Sequence, residues 1–238
     1  MSERLQELDW SETPLGELSL RRRRDPVTGI DLFEVKLGDE FLMSSLFTVA
    51  EIEVARRALQ RLQGSGLDVA VGGLGLGYTA EAVLADDRVG ALVVVEALKP
   101  VIDWHRQGLV PVGPTLTGDP RCRLVHGDFF AMSDGAGFDP EVPHRRFDAV
   151  VVDIDHSPQH LLADGSAGFY GVEGTRRLSR HLRPGGVYSL WSNDPPEDAY
   201  LAVLAEVFTD VTAEVVRFPN PLQDREATNT VYLASAPG

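Results

Sequence analysis

The spacing of apolar and polar positions changes along this chain, and the changes predict its elements. The first 45 residues show no helical period. Short runs at Gly16–Arg22, Ile30–Leu37 and Glu40–Met43 read as strands, separated by turn-forming residues at Asp25-Pro26-Val27-Thr28-Gly29 and Gly38-Asp39. They predict a small antiparallel β unit. Ile52, Ala55, Leu59 and Leu62 then recur at spacings of three and four, with Glu51, Arg56, Arg57 and Arg61 between them. That is the stripe of an amphipathic helix, and Gly64-Ser65-Gly66 ends it. Beyond this point strand and helix patterns alternate. Apolar runs at Leu67–Val71, Ala91–Val95, Arg123–Val125, Ala149–Val152 and Val187–Trp191 are nearly continuous, which fits strands buried on both faces of a parallel sheet. Helical patterns fall at Thr79–Leu84, Tyr170–Leu182 and Glu197–Phe208. Arg183-Pro184-Gly185-Gly186 reads as a helix stop leading into a strand. Val211–Phe218 and Thr230–Ala234 close the pattern, joined by Pro219-Asn220-Pro221 and a polar stretch. Gly108–Pro120 and Ser133–Arg146 read as loops, the first near the carboxyl edge of the sheet.

Composition narrows the classes. A chain of 238 residues that is 43% hydrophobic can build one sizeable α/β domain with a small appendage. No apolar run approaches the roughly 20 residues of a membrane span, and Met1-Ser2-Glu3-Arg4 carries no apolar signal core. The expectation is a cytoplasmic protein with no membrane partner. The single cysteine, Cys122, allows no intrachain disulfide and no cysteine-rich zinc site. A net charge of −14 repels phosphate, so no nucleic-acid partner is expected. Arg21-Arg22-Arg23-Arg24 reads either as an anion contact or as a solvated hairpin face that blunts an edge strand, and the second fits so acidic a chain better.

The chemistry is concentrated where the predicted strands end. Val69-Ala70-Val71 runs into Gly72-Gly73-Leu74-Gly75-Leu76-Gly77-Tyr78, a strand pressed against a Gly-x-Gly-x-Gly turn with a helix behind it. Gly73, Gly75 and Gly77 let the backbone turn sharply and let a ligand come close to it. About 19 residues past Gly77 the next apolar run ends in Glu96, an acid placed to suit the hydroxyls of a ribose. The third strand is followed by His126-Gly127-Asp128, the fourth by Asp153-Ile154-Asp155-His156 and the fifth by Trp191-Ser192-Asn193-Asp194. Acids after three successive strands beside a glycine turn point to a nucleoside-containing ligand. His156 and His160 beside Asp153 and Asp155 read as a base or metal ligands, or as polar loop residues. No second cluster has ligand spacing, so no metal is expected. Phe169-Tyr170 walls a substrate cleft or packs a helix start. Trp104 and Trp191 stack on a base or pack in the interior.

In order along the chain, these pieces resemble the spermidine synthase-like branch of the class I S-adenosylmethionine-dependent methyltransferase fold. The pieces are Leu37-Gly38-Asp39, the glycine turn, Val95-Glu96, Asp119-Pro120-Arg121, His126-Gly127-Asp128, Phe147 to Asp153, Phe169-Tyr170 and Arg183 to Gly186. The resemblance spans about residues 37 to 234. It implies an α/β, Rossmann-like seven-stranded sheet over 48–238, with a small β-rich unit at 1–47. It implies that Glu96 holds the ribose hydroxyls and Asp128 the adenine amino group. Asp153, with Asp155, would orient the attacking group and take its proton, and His156 and Tyr170 would contact the substrate. It also implies a homodimer acting on a small-molecule acceptor.

The chain departs from the aminopropyltransferase pattern. Leu76 stands where that family has an aspartate in the glycine turn, and Met43 where it has a glutamine. Phe47-Thr48-Val49-Ala50-Glu51-Ile52-Glu53 stands where it has Asp-Glu-x-x-Tyr-His-Glu, and Asp155 lies two residues rather than three past Asp153. On this ground the first reading is methyl transfer from S-adenosylmethionine. The second is aminopropyl transfer from decarboxylated S-adenosylmethionine to a polyamine, and the third a non-catalytic nucleoside-binding protein. Pro184-Gly185-Gly186 and the acid after the fourth strand disfavour a dehydrogenase-type dinucleotide binder.

Overall fold

A computed structural model describes residues 5–26, 29–162, 164–220 and 225–238. Met1–Arg4, the middle of the Asp25–Gly29 turn and the start of the polar connection after Asn220 lie outside the described residues. Two sheets make up the frame. The first is antiparallel in the order β1 (Leu5–Thr13), β2 (Gly16–Arg24), β3 (Asp31–Leu37) and β4 (Glu40–Ser44). The second has seven strands: β5 (Leu67–Gly72), β6 (Val89–Glu96), β7 (Cys122–His126), β8 (Phe147–Val152), β9 (Leu182–Ser192), β10 (Thr209–Asn220) and β11 (Arg225–Ser235). Across the sheet they run β10-β11-β9-β8-β5-β6-β7. The pairs among β5 to β9 are parallel, and β11 is antiparallel to both its neighbours.

The apolar runs explain why this sheet is sandwiched. Successive side chains of a strand point to opposite faces. Val69, Val71, Leu92, Val94, Ala149 and Val151 join one core, and Ala70, Val93, Val95, Val150 and Val152 join the other. The first core is covered by α1 (Val49–Gln60), α2 (Tyr78–Leu84), α3 (Lys99–Arg106) and α4 (Gly113–Gly118). The second is covered by α5 (Phe129–Asp134), the 3-10 turn Asp164–Tyr170, α6 (Val172–Ser179) and α7 (Asp198–Ala205). The inner face of the small sheet, through Leu18, Leu20 and Val35, belongs to the first core. At roughly 25 cal/mol per Å², burial of such side chains on both faces is what holds seven strands together.

Several elements differ from the sequence expectation. β1 is an additional strand. Its Leu5, Gln6 and Glu7 are exposed, so no apolar alternation marks it. It is held by pairing with β2, where Glu7 lies opposite Arg21 and Gln6 opposite Arg22. The arginine run therefore lies on an interior strand, not an edge. Arg22 bonds Gln6, Arg23 bonds Glu34 and Arg24 bonds Asp31. Gly108–Pro120 contains the short helix α4, with Pro114 in its first turn. Arg183 to Gly186 lies inside β9 as a break in register between the Phe147↔Leu182 and Ala149↔Val187 pairs.

Candidate active site

Two cavities open at the carboxyl ends of the parallel strands, where crevices form in open α/β sheets. The first, about 420 Å³, is lined by Gly73, Glu96 and Asp128 and by apolar walls that include Leu18, Val101, Trp104 and Phe129. Pro14 and Leu15, in the β1–β2 turn, roof it. Trp104 Nε1 donates to Asp9 Oδ2 at 2.5 Å and so ties this roof to α3. The second cavity, about 400 Å³, is lined by Glu51, Leu76, Tyr78, Thr79, His156, Trp191 and Asn193, and by the long β10–β11 hairpin through Phe218, Thr228 and Asn229. Leu42, Met43, Gly75, Asp153, Ile154 and Leu162 line both. Asp153 thus stands on the wall common to two chambers.

The glycine turn takes its shape from close approach. Gly73 has φ +90°, and a Cβ there would sit 2.0 Å from the Asp153 carbonyl oxygen. Only glycine lets the β5 turn pass so close to the end of β8. Gly75 accepts a hydrogen bond from His105 Nε2 at 2.9 Å, and burial keeps this imidazole below its ordinary pKa. Gly77 is the residue before α2 and lines the second cavity.

Glu96 is more than a cavity wall. Its carboxylate accepts from the Leu74 N–H at 3.0 Å and the Leu98 N–H at 2.8 Å, so it also holds the turn in place. Burial raises its pKa, and these backbone donors partly offset that. Asp128 caps α5, its Oδ1 accepting from the N–H groups of Phe130 and Ala131 at 2.9 and 3.2 Å.

Asp153 accepts from the Thr79 hydroxyl at 2.6 Å, and its own N–H donates to Gly72 at 2.9 Å. Burial raises its pKa, partly countered by Thr79. Beside it is Glu51 in the first turn of α1, raised well above the ordinary carboxylate range by burial and by the charge of Asp153. Among the described residues the Glu51 carboxylate has no hydrogen-bond or ion-pair partner. Glu51 escaped the sequence reading as a site residue. Its only signal was an acid on the flank of an apolar helical stripe, indistinguishable from a solvated one.

The structure brings Gly73, Gly75, Gly77, Glu96, Asp128, Asp153 and His156 around the two cavities. His156 Nε2 bonds Glu40 Oε1 at 2.9 Å. Asp155 touches the first cavity but is buried and fully engaged. It accepts from the Leu162 N–H at 2.7 Å, the Ser166 hydroxyl at 3.2 Å and the Tyr170 hydroxyl at 2.7 Å. Tyr170 lies outside both linings and packs against Phe130, Phe169 and Tyr200. Trp104 lines the first cavity and Trp191 the second. Cys122 is far from this chemistry in type, its thiol pushed up to about 12 by burial and by Asp119.

Solved structures share this fold over nearly the whole chain. Spermidine synthase from Thermotoga maritima superposes with a TM-score of 0.70 at 17% identity, covering 97% of this chain and 72% of its own. The chain has the spermidine synthase fold. A spermidine synthase in complex with the transition-state analogue AdoDATO gives 0.71 at 16% identity, with 97% and 73% covered. A probable spermidine synthase from Corynebacterium glutamicum gives 0.66 at 18%, with 97% and 79% covered. Polyamine aminopropyltransferase 2 from Pseudomonas aeruginosa is 29% identical over 154 residues, which are 60% of this chain and 40% of that protein's length. No protein-family model matches the chain. The α/β class, the mainly parallel seven-stranded sheet and the separate N-terminal β unit agree with the expectation from sequence.

Proposed function

We propose that this chain is an aminopropyltransferase, moving the aminopropyl group of decarboxylated S-adenosylmethionine onto an amine. The observation that carries the reading is the unpartnered Glu51 carboxylate beside Asp153, on the far side of the wall from the Glu96–Asp128 chamber. Two half-buried carboxylates side by side, Asp153 bonded by the Thr79 hydroxyl and Glu51 by no donor among the described residues, are costly unless a cation joins them. Decarboxylated S-adenosylmethionine ends in an ammonium and supplies that cation. S-Adenosylmethionine would bring its own carboxylate up to these two, a like-charge contact. The apolar Leu76, which favoured methyl transfer on sequence grounds, is therefore compensated by Glu51, which reaches the same chamber from α1. The aminopropyltransferase and spermidine synthases that the chain resembles support the same choice.

In this reading Glu96 accepts the ribose hydroxyls of the donor, and Asp128 accepts from the adenine amino group with the oxygen that does not cap α5. Trp104 and Phe129 flank the base. Asp153 orients the attacking amine and takes its proton. Its raised pKa brings it closer to that task at neutral pH. His156 faces the acceptor. Asp155 and Tyr170 act as positioning residues that hold residues 155–170 against the site. The test is to offer the purified chain each donor with a mixture of amines and to follow the nucleoside product by mass spectrometry. Methylthioadenosine from the decarboxylated donor is expected. S-Adenosylhomocysteine from S-adenosylmethionine would replace this reading with methyl transfer.

A further inference from the structure

The acids of the second cavity lie together. Among the described residues its lining contains Glu51 and Asp153 and no other acid. Glu40 lies outside the lining and is bonded to His156, which belongs to it. The remaining wall is aromatic at Phe47, Trp191 and Phe218, and uncharged polar at Asn193, Thr228 and Asn229. The last group is internally satisfied in part, with Asn229 Nδ2 donating to Asn193 Oδ1 at 3.1 Å.

Charge counting then discriminates among acceptors. The donor carries two cations, its sulfonium and the ammonium that ends its aminopropyl arm. The acceptor's reacting nitrogen arrives as a third, since an alkylamine of pKa about 10 is protonated at neutral pH. These already outnumber the two carboxylates of the lining. A diamine brings a fourth cation against a wall that, among the described residues, is made of aromatic rings and uncharged polar groups. An apolar or aromatic tail instead finds surface of its own kind.

Resting on the aminopropyl-transfer reading, we propose that the acceptor is a primary monoamine with an apolar or aromatic tail, and that the chain discriminates against α,ω-diamines. In the step, Asp153 takes one proton from the acceptor ammonium, freeing the nitrogen lone pair. That nitrogen attacks the propyl carbon bound to the sulfonium. The C–N bond forms, and the C–S bond breaks with its electron pair going to sulfur. Neutral methylthioadenosine leaves, the product departs as a dialkylammonium, and Asp153 passes the proton it took to solvent. Glu51 holds the donor's terminal ammonium throughout.

The experiment measures methylthioadenosine release by the full chain with decarboxylated S-adenosylmethionine and, in turn, 2-phenylethylamine, n-butylamine and putrescine. Each aminopropylated product is identified by mass. The expected kcat/KM for 2-phenylethylamine exceeds that for putrescine by at least ~10-fold, the scale for leaving one charge unpaired. Asn193→Asp is isosteric, keeps an oxygen for Asn229 Nδ2, and places a carboxylate on the uncharged wall. It should shift the ratio of kcat/KM for putrescine to that for n-butylamine by ~10-fold in favour of putrescine. Putrescine used as well as or better than the monoamines by the unsubstituted chain overturns the proposal while sparing aminopropyl transfer. No methylthioadenosine with any amine overturns both.

Discussion

Two carboxylates with different partners explain the division of labour at the residue scale. Asp153 is fixed by Thr79 at 2.6 Å and by its own backbone bond to Gly72, so its geometry is set before any ligand arrives. Among the described residues Glu51 has no such partner, and in the proposed reading the donor's ammonium compensates it. The two should therefore fail differently. Asp153→Asn keeps the shape and the Thr79 contact but removes the base. Turnover should fall by roughly 10²–10⁴ with donor affinity nearly kept, as read by calorimetry beside steady-state rates. Glu51→Gln should instead weaken donor binding, by about 1.5–3 kcal/mol for a lost charge-assisted bond, with a smaller effect on the saturated rate. Equal donor affinity in Glu51→Gln and the parent would remove Glu51 from the site. Glu96→Gln separates two duties of one side chain, because an amide retains only one good acceptor for the Leu74 and Leu98 N–H groups. A loss of thermal stability together with donor affinity is expected there.

At the scale of elements, the segment between β8 and α6 carries the site's least regular backbone. It is organised by a buried side chain. Asp155 collects the Leu162 N–H and the Ser166 and Tyr170 hydroxyls, so three places along the segment converge on one carboxylate. Asp155→Asn turns an NH₂ toward one of these donors. We expect a stability loss of about 1–3 kcal/mol, the cost of an unsatisfied buried bond to a charged group, visible as a lower denaturant midpoint. The acceptor KM should rise more than the donor affinity changes, because Leu162 lines both cavities while Glu96 and Asp128 stand on other strands. A variant with a raised acceptor KM but unchanged stability would assign Asp155 to the chemistry directly. The same scale accounts for β1. A strand whose first three residues are exposed has no period to read. Its existence depends on the acid–arginine pairing with β2, which becomes visible only once the register is known.

For the whole molecule, the buried carboxylates link stability to pH. The raised pKa values of Glu51 and Asp153 mean that the folded chain holds more protons than the unfolded one, from the ordinary carboxylate range of about pH 4 upward. Their contribution is fully present below that range and is lost as pH rises through the raised values. Glu51→Gln removes one of these groups, so its melting temperature should match the parent's in acid and exceed it at neutral pH. A gap that is constant across pH would contradict the burial of Glu51. The decarboxylated donor should narrow the gap at neutral pH by supplying the missing cation. Assembly belongs to this scale too. The outer strand β1 presents an open edge, and Leu5, Trp10 and Leu15 are exposed on and beside it. A homodimer is expected, and light scattering that returns only the 26.0 kDa mass at micromolar concentration would refute it.

The sequence alone determined the class of fold and one chamber. Continuous Val and Ala runs can be satisfied only by a sheet buried on both faces, and Gly73, Glu96, Asp128 and Asp153 follow such runs directly. Their placement is set by the strand they end, so local order suffices to bring them to one edge. Tertiary structure decided the rest. Glu51 comes from a helix that precedes the sheet, and it meets Asp153 only because α1 packs on the face where α2 also lies. Asp155, two residues from Asp153, touches the first cavity but is engaged by Leu162, Ser166 and Tyr170, partners that only the folded segment brings to it. The local pattern at Leu76 indicated a missing charge. In the proposed reading Glu51 supplies that charge from 25 residues upstream, and contact between distant segments is a property of packing that no spacing along the chain encodes.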